Sequence, residues 1–406
     1  MSSNWTKNFS SAAHQTRPSP IRELLKVMKH PGMISLAGGM PAPEVFPAEQ
    51  FAEGAELLKT KADLLLQYGT TEGYNPLREF LAKWTAPRMG REVSLDEILL
   101  TTGSQQALDL FAWSMIDKGD VVIMEDPSYL AAIDTFSNHG AEFASVRVDS
   151  EGMMVADLPA LIEGLQKQGK KISFIYTIVN FHNPAGATMS VPRRKELAAI
   201  AARYELTIFE DDPYGYVRFD GQHLPSIFSF DGAGNTIYGG SFSKILSPGV
   251  RIGWVSGAPE IIRQMAVFKQ TTDLCSSPIT QVLTHEYCRK GYLEAHLPNI
   301  IANYRVKRDA MEESFKKHLS PLGVTWVKPE GGFFYWLNLG SIDSNDLARR
   351  ALDKKVAILP GSPFCIDPEA GIHASRINYT YSLPSVIEEG VSRLAQAIEE
   401  MKIPAK

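Results

Sequence analysis

Between Ser241 and Trp254 the sequence reads SFSKILSPGVRIGW, which sets Ser241, Ser243, Lys244 and Arg251 within eleven residues of an otherwise apolar stretch. An ammonium in such surroundings gives up its proton more readily than a solvated one and becomes a nucleophile. A guanidinium keeps its charge and grips phosphate through parallel hydrogen bonds. A surface loop with ordinary charges would look the same in this stretch alone.

Other loops carry residues of matching chemistry. In TTGSQQALDLF, Gly103, Ser104 and Gln105 stand where a strand hands over to a helix, whose first free amides suit an anion but equally suit an ordinary N-cap. Tyr129 in EDPSYLAA offers a flat face for stacking on an aromatic ligand, or simple packing. Asn183 before Pro184 is either turn chemistry or an amide aimed at a ligand oxygen, and His182 beside it has no second ligand at useful spacing, so it reads as structural or peripheral. Three consecutive acids, Glu210, Asp211 and Asp212, end an apolar run in IFEDDPYGY. Side by side they repel one another unless a cation compensates. For Glu210 and Asp212 a solvated strand end is the better reading, whereas Asp211 and Tyr214 are spaced to face one ligand. Together these loops favour a phosphorylated aromatic ligand that also needs an amine and a carboxylate.

Loops of this kind need a scaffold. From about Asp96 to Gly257, short β-branched runs (EILLTTG, DVVIMEDP, FASVRV, ISFIYTI, LTIFEDDP, NTIYGGSF and RIGWVSG) alternate with helical stretches, which predicts a mainly parallel sheet covered on both faces. The last two runs are joined by a short loop without a helix, so that pair is expected to be antiparallel with Lys244 at the connection. In open α/β sheets, ligands gather at the loops that leave the carboxyl ends of strands. Before this region, SPIRELLKVMKH has the spacing of an amphipathic helix, and after it come helices over about 277 to 319, the strand-like GVTWVKPEGGFFYWLNL, VAILPGSPF and RINYTYS, and a closing helix from Ser385. The expected fold class is α/β: a large domain with a mainly parallel, helix-flanked sheet containing one antiparallel strand, plus a smaller α+β domain built from both termini. The expected boundaries are 1–50 for the N-terminal arm and part of the small domain, 51–300 for the large domain and 301–406 for the remainder of the small one.

Composition narrows the function classes. The chain has 406 residues, 44% hydrophobic and 21% charged, with 41 basic against 46 acidic residues for a formal charge of −5. Neither a nucleic-acid surface nor a membrane span is expected from that balance. Cys275, Cys288 and Cys365 show no CxxC or Cys/His spacing, so no metal is expected and the thiols read as small buried hydrophobes in a reducing compartment. The first twenty residues lack the apolar core of a secretory signal; they are Ser-rich and free of acids, as organellar leaders are, and cytoplasm is the expected location.

The blocks ISLAGGMPAPEVFP, LQYGTTEGYNPLREFLA, NPAG, EDDPYGY, SFSKILSPGVRIGW and RINYTYS occur in an order that resembles the fold-type I pyridoxal-phosphate enzymes of the aspartate-aminotransferase superfamily, within them the aminoadipate, kynurenine and aromatic aminotransferase group. The resemblance covers nearly the whole chain. It implies pyridoxal 5'-phosphate as cofactor, with Lys244 as the lysine that carries it in a Schiff base. Ser104, Gln105, Ser241, Ser243 and Arg251 would hold the phosphate, Asp211 would pair with the ring nitrogen, Asn183 and Tyr214 would bond the ring hydroxyl, and Tyr129 would stack on the ring. Arg376 matches the arginine that clamps the substrate α-carboxylate. Tyr68 matches a tyrosine that reaches the neighbouring subunit's phosphate, which implies a homodimer with shared sites.

On this resemblance the reaction moves an amino group from an L-amino acid to a 2-oxo acid. Arg22 matches an arginine that pairs with a side-chain carboxylate and swings aside for apolar substrates, although an exposed helix charge reads the same way. Gly38 and Gly39 match a loop where small residues leave room for a large side chain. Aromatic or 2-aminoadipate-like donors and 2-oxoglutarate as acceptor are therefore expected. Two rivals share the scaffold: a lyase or decarboxylase, disfavoured because Arg376 would leave the Cα–H bond as the one to break, and a cofactor-sensing regulator, which needs a DNA-binding module larger than the thirty or so residues before MISLAGG.

Overall fold

The computed structural model describes residues 5–10, 13–14 and 31–402. Arg22 and the expected helix around it lie outside the described residues.

Strand β1 (Ile34–Ser35) comes first, followed by the strands of the large sheet: β2 (Ile98–Thr101), β3 (Val121–Asp126), β4 (Glu142–Asp149), β5 (Gly152–Met153), β6 (Ile172–Thr177), β7 (Thr207–Asp211), β8 (Thr236–Ser241) and β9 (Gly253–Ser256). Their order across the sheet is β2-β9-β8-β7-β6-β3-β4-β5. The five central strands β8, β7, β6, β3 and β4 run parallel, and β9 lies antiparallel between β8 and β2. All seven expected strands are present. The two-residue β5, which folds back on β4 as a second antiparallel strand, is too short to leave a periodic signal.

Both faces of the sheet are buried because side chains alternate across it. Val122, Met124, Phe174, Tyr176 and Phe209 enter one apolar cluster, while Ile123, Ile175 and Ile208 enter the other. Helices Ser104–Met115, Leu130–Asn138 and Pro259–Thr272 cover the first face; Leu158–Lys167 and Val191–Tyr204 cover the second.

The remaining strands are β10 (Thr325–Trp326), β11 (Phe334–Asn338), β12 (Val356–Ala357), β13 (Leu359–Pro360) and β14 (Ala374–Asn378). They form an antiparallel sheet, β10-β11-β14-β13, and a parallel pair in which β12 takes β1 as partner. Helix Tyr292–His318 runs without interruption past position 300 and packs on the closing helix Pro384–Lys402. The segment just after β1 is stitched to the far end of the chain: Leu36 O accepts from Asn378 N at 2.7 Å, and Met40 O accepts from Thr380 Oγ1 at 2.8 Å. Among the described residues no helix is long and apolar enough to cross a membrane.

Candidate active site

Strands β3, β6, β7 and β8 are parallel, so their carboxyl ends meet along one edge of the sheet. There they open into a cleft of about 490 Å³, within the range that holds small molecules. Ser104, Gln105, Tyr129, Asn183, Asp211, Tyr214, Ser241, Ser243, Lys244 and Arg251 all line it, although they come from five separate strand-end segments.

One end of the cleft gathers groups that suit an anion. The turn after β2 delivers Ser104 and Gln105 to the start of a twelve-residue helix, where unpaired amides and the dipole favour negative charge. Gly103 has φ +76°, and a Cβ there would lie 2.3 Å from Arg251 Nη2, so only glycine lets the guanidinium sit against the turn. Gly253 opens β9 just behind it, where a Cβ would fall 2.8 Å from Gly103 C and Ser104 N. Arg251 donates to Thr102 O at 3.2 Å, and the Ser241 and Ser243 hydroxyls are 3.0 Å apart. The Gln105 amide points elsewhere, donating to Thr135 Oγ1 at 2.6 Å.

In the middle of the cleft Lys244 Nζ donates to Gly39 O at 2.8 Å and lies 5.0 Å from the centre of the Phe333 ring. Burial, together with repulsion from Arg376 and Arg251, pulls its pKa down from 10.5 to about 8. Asp211 is fully enclosed. Burial raises its carboxyl to about 7, opposed by a 2.8 Å hydrogen bond from Tyr176 and reinforced by the nearby acids Asp212 and Glu125.

The two acids flanking Asp211 correct the expectation of a solvated strand end, since Glu210 is 0% and Asp212 2% exposed. Each has a private solution to its burial. Glu210 accepts backbone amides from Ile227 and Phe228 at 3.0 and 3.1 Å, and burial raises its pKa to about 7. Asp212 binds Arg88 and accepts from Asn180 and Tyr238 at 2.9 Å each; burial works to raise its pKa, but these partners hold it below the ordinary carboxylate value. The three carboxylates take different hydrogen-bond partners, a compensation that the sequence run does not display.

The other wall carries Arg376 of β14. It donates to Asn183 Oδ1 at 2.9 Å and Ala37 O at 2.8 Å, and its guanidinium carbon lies 4.1 Å from the Phe334 ring centre and 4.8 Å from that of Phe364. Its buried Nε has no hydrogen-bond partner. Asn183 Nδ2 is 3.5 Å from the Tyr214 hydroxyl, so Asn183 touches both sides of the cleft. Gly39 packs under Phe334, whose Cζ would be 3.1 Å from an added Cβ.

Two residues stand apart. Tyr68 is 78% exposed and lines a different pocket with Tyr74 and Pro278, outside the cleft of its own chain. His182 is buried, with Nε2 lying 3.0 Å from Glu125 Oε2 and Nδ1 accepting from Ala185 N at 3.2 Å, which gives it a structural setting. The cysteines are free, Cys288 and Cys365 buried and Cys275 half-buried, and the described residues contain no cluster that could hold a metal ion.

Sequence reasoning passed over Tyr176, whose hydroxyl reaches Asp211. The register pairs Tyr176 with Phe209, so Asp211, two residues on and on the same face, is its diagonal neighbour.

An anion cradle, a partly deprotonated amine, a buried carboxylate and an unsatisfied guanidinium suit a flat, phosphorylated aldehyde together with a carboxylate-bearing substrate. Residues 35–394 match the family described as aminotransferase class I and II, and the chain belongs to that family. It is a pyridoxal-phosphate-dependent transaminase with the fold-type I architecture. Among its relatives, aromatic-amino-acid aminotransferase 1 of Thermococcus litoralis is 44% identical over 402 residues, covering 98% of this chain and 96% of the relative. The 2-aminoadipate transaminase of Thermus thermophilus is 39% identical over 401 residues, covering 98% of each. The crystal structure of Pyrococcus horikoshii kynurenine aminotransferase, solved in complex with PMP, superposes with a TM-score of 0.94 at 44% identity, covering 98% of this chain and 99% of that one.

Proposed function

We propose that this transaminase takes the amino group from L-amino acids with large side chains, aromatic or 2-aminoadipate-like, and passes it to 2-oxoglutarate in a ping-pong cycle. Arg376 carries this reading. A buried guanidinium with one unpartnered N–H, seated between the Phe334 and Phe364 rings, suits a substrate carboxylate beside an apolar side chain. Gly38 and Gly39 add no bulk where that side chain would lie. The names of the relatives, which include aromatic and 2-aminoadipate enzymes, support the same breadth.

When bound, pyridoxal phosphate supplies a ring that accepts the electrons left on the substrate α-carbon. The chain's residues do the remainder. Arg251, Ser241, Ser243 and the amides at Ser104 and Gln105 hold the phosphate. Tyr129 stacks on the ring, and Asn183 and Tyr214 bond its hydroxyl. Asp211 would pair with the ring nitrogen and keep it protonated; a cation there would stabilise its carboxyl as the anion despite burial. Lys244 would anchor the cofactor, and its Nζ, as a free amine, would be the base that holds the proton taken from the substrate α-carbon. Arg376 fixes the α-carboxylate, which leaves the C–H bond as the one to break. Arg22 is a candidate partner for an acidic side chain.

The same reading makes the protein a cytoplasmic homodimer of two domains, 51–300 and the two flanking segments, with Tyr68 of each subunit completing the other's cradle. Its exposure and distance from its own cleft suit that role. The deciding experiment is borohydride reduction of the holoenzyme followed by peptide mapping, with a parallel panel of donors. Tagging at position 244 and turnover of aromatic amino acids, 2-aminoadipate or glutamate are expected. Tagging elsewhere, or a panel in which none of these reacts, overturns the reading.

A further inference from the structure

Helix Pro259–Thr272 contributes a lysine that no part of the reaction uses. Lys269 has a completely buried side chain, yet its Nζ makes three hydrogen bonds: to Asp273 Oδ1 at 2.6 Å, to Gln106 Oε1 at 2.9 Å and to Ser276 Oγ at 3.0 Å. All three acceptors also hold Thr102, the residue just before Gly103 and the cradle. Gln106 Oε1 accepts from Thr102 N at 2.8 Å, Asp273 Oδ2 accepts from Thr102 Oγ1 at 2.7 Å, and Ser276 Oγ lies 2.9 Å from the same hydroxyl. Thr102 O in turn accepts from Arg251. One ammonium thus ties together the partners of both the amide and the hydroxyl of the residue that leads into the anion turn.

Charge gives this arrangement a sharper meaning. Asp273 places a carboxylate one hydrogen bond away from the turn that would receive a phosphate. An uncompensated anion there would oppose the ligand's charge, and the adjacent ammonium cancels it. We infer that Lys269 is a positioning residue for the phosphate cradle, holding the Thr102–Ser104 turn in its anion-binding shape and neutralising Asp273 beside it. This rests on the reading of Ser104, Gln105, Ser241, Ser243 and Arg251 as the phosphate site.

The test compares pyridoxal phosphate with phosphate-free pyridoxal as ligands of the full-length apoenzyme, followed by absorbance titration. Arg251→Met is the reference: it should weaken pyridoxal phosphate strongly and pyridoxal little, and if it does not discriminate, the cradle reading itself fails. Given that discrimination, Lys269→Met should weaken pyridoxal phosphate by about tenfold or more while changing pyridoxal by less than about threefold, the loss expected for a charge-assisted hydrogen bond. Lys269→Met combined with Asp273→Asn should regain part of the lost affinity, because the stranded carboxylate is gone. If Lys269→Met does not fold, Gln106→Leu, which removes the acceptor shared by Thr102 and Lys269, should show the same selectivity for the phosphate. Equal losses for both ligands, no loss, or no recovery in the double variant would overturn the inference while leaving the cradle intact.

Discussion

Lys244 should titrate far below an ordinary lysine in the cofactor-free enzyme, and the consequence is large enough to measure. With a midpoint of about 8 instead of 10.5, about one amine in eleven is unprotonated at pH 7, against about one in three thousand for a solvated lysine. The gain in reactive amine is therefore about 300-fold, caused first by burial and then by the like charges of Arg376 and Arg251. Competitive labelling of the apoenzyme with a neutral acylating reagent, read by peptide mass spectrometry between pH 6 and 11, separates ionisation from access. Restricted access scales the whole labelling curve of Lys244 but does not move its midpoint. A lysine model peptide labelled in the same mixture is the reference. A Lys244 midpoint that coincides with that of the peptide would refute the electrostatic account of the cleft.

The same shift has a stability counterpart: the ammonium is penalised in the fold, fully below pH 8 and progressively less as pH rises from 8 to 10.5, where the unfolded chain also loses its proton. Apoenzyme carrying Lys244→Met should therefore resist urea better than wild type at pH 7, by up to about 3 kcal/mol, and the difference should shrink as pH rises from 8 and vanish above 10.5. Tyr176→Phe removes the hydroxyl that donates to Asp211 while keeping the ring against Phe136 and Phe209. Steady-state kinetics should show kcat reduced about tenfold or more with KM altered by less than about threefold, since a hydrogen bond to a charged group is lost away from the substrate. Arg88→Met strands the Asp212 carboxylate, and equilibrium unfolding should register a loss of about 3–5 kcal/mol.

The large sheet was legible because its strands are apolar on both faces and are punctuated by Gly, Pro and acidic residues. The site was legible because strand order sends the loops bearing Ser104, Asn183, Asp211 and Lys244 to one edge, even though these residues are far apart in the chain. What spacing could not reveal were relations across strands and between helices. Tyr176 in ISFIYTI reads as one more aromatic core residue until the register makes it a diagonal neighbour of Asp211. Lys269 reads as a helix surface charge until a second helix brings Gln106 to it. Glu210 and Asp212 looked too polar to bury, because their compensating partners, the amides of Ile227 and Phe228 and the side chain of Arg88, come from remote parts of the chain.

Arg376 donates to the carbonyl of Ala37 across 339 positions of sequence, and β1 waits for β12 before it has any partner in its sheet. As the polypeptide leaves the ribosome, the sheet edge bearing Lys244 and Asp211 can close well before the substrate wall exists. Contacts of such long range are slow to form. A nascent chain would thus hold its own subunit's cofactor-binding loops on one sheet edge before the residues that grip an amino acid could be assembled beside them.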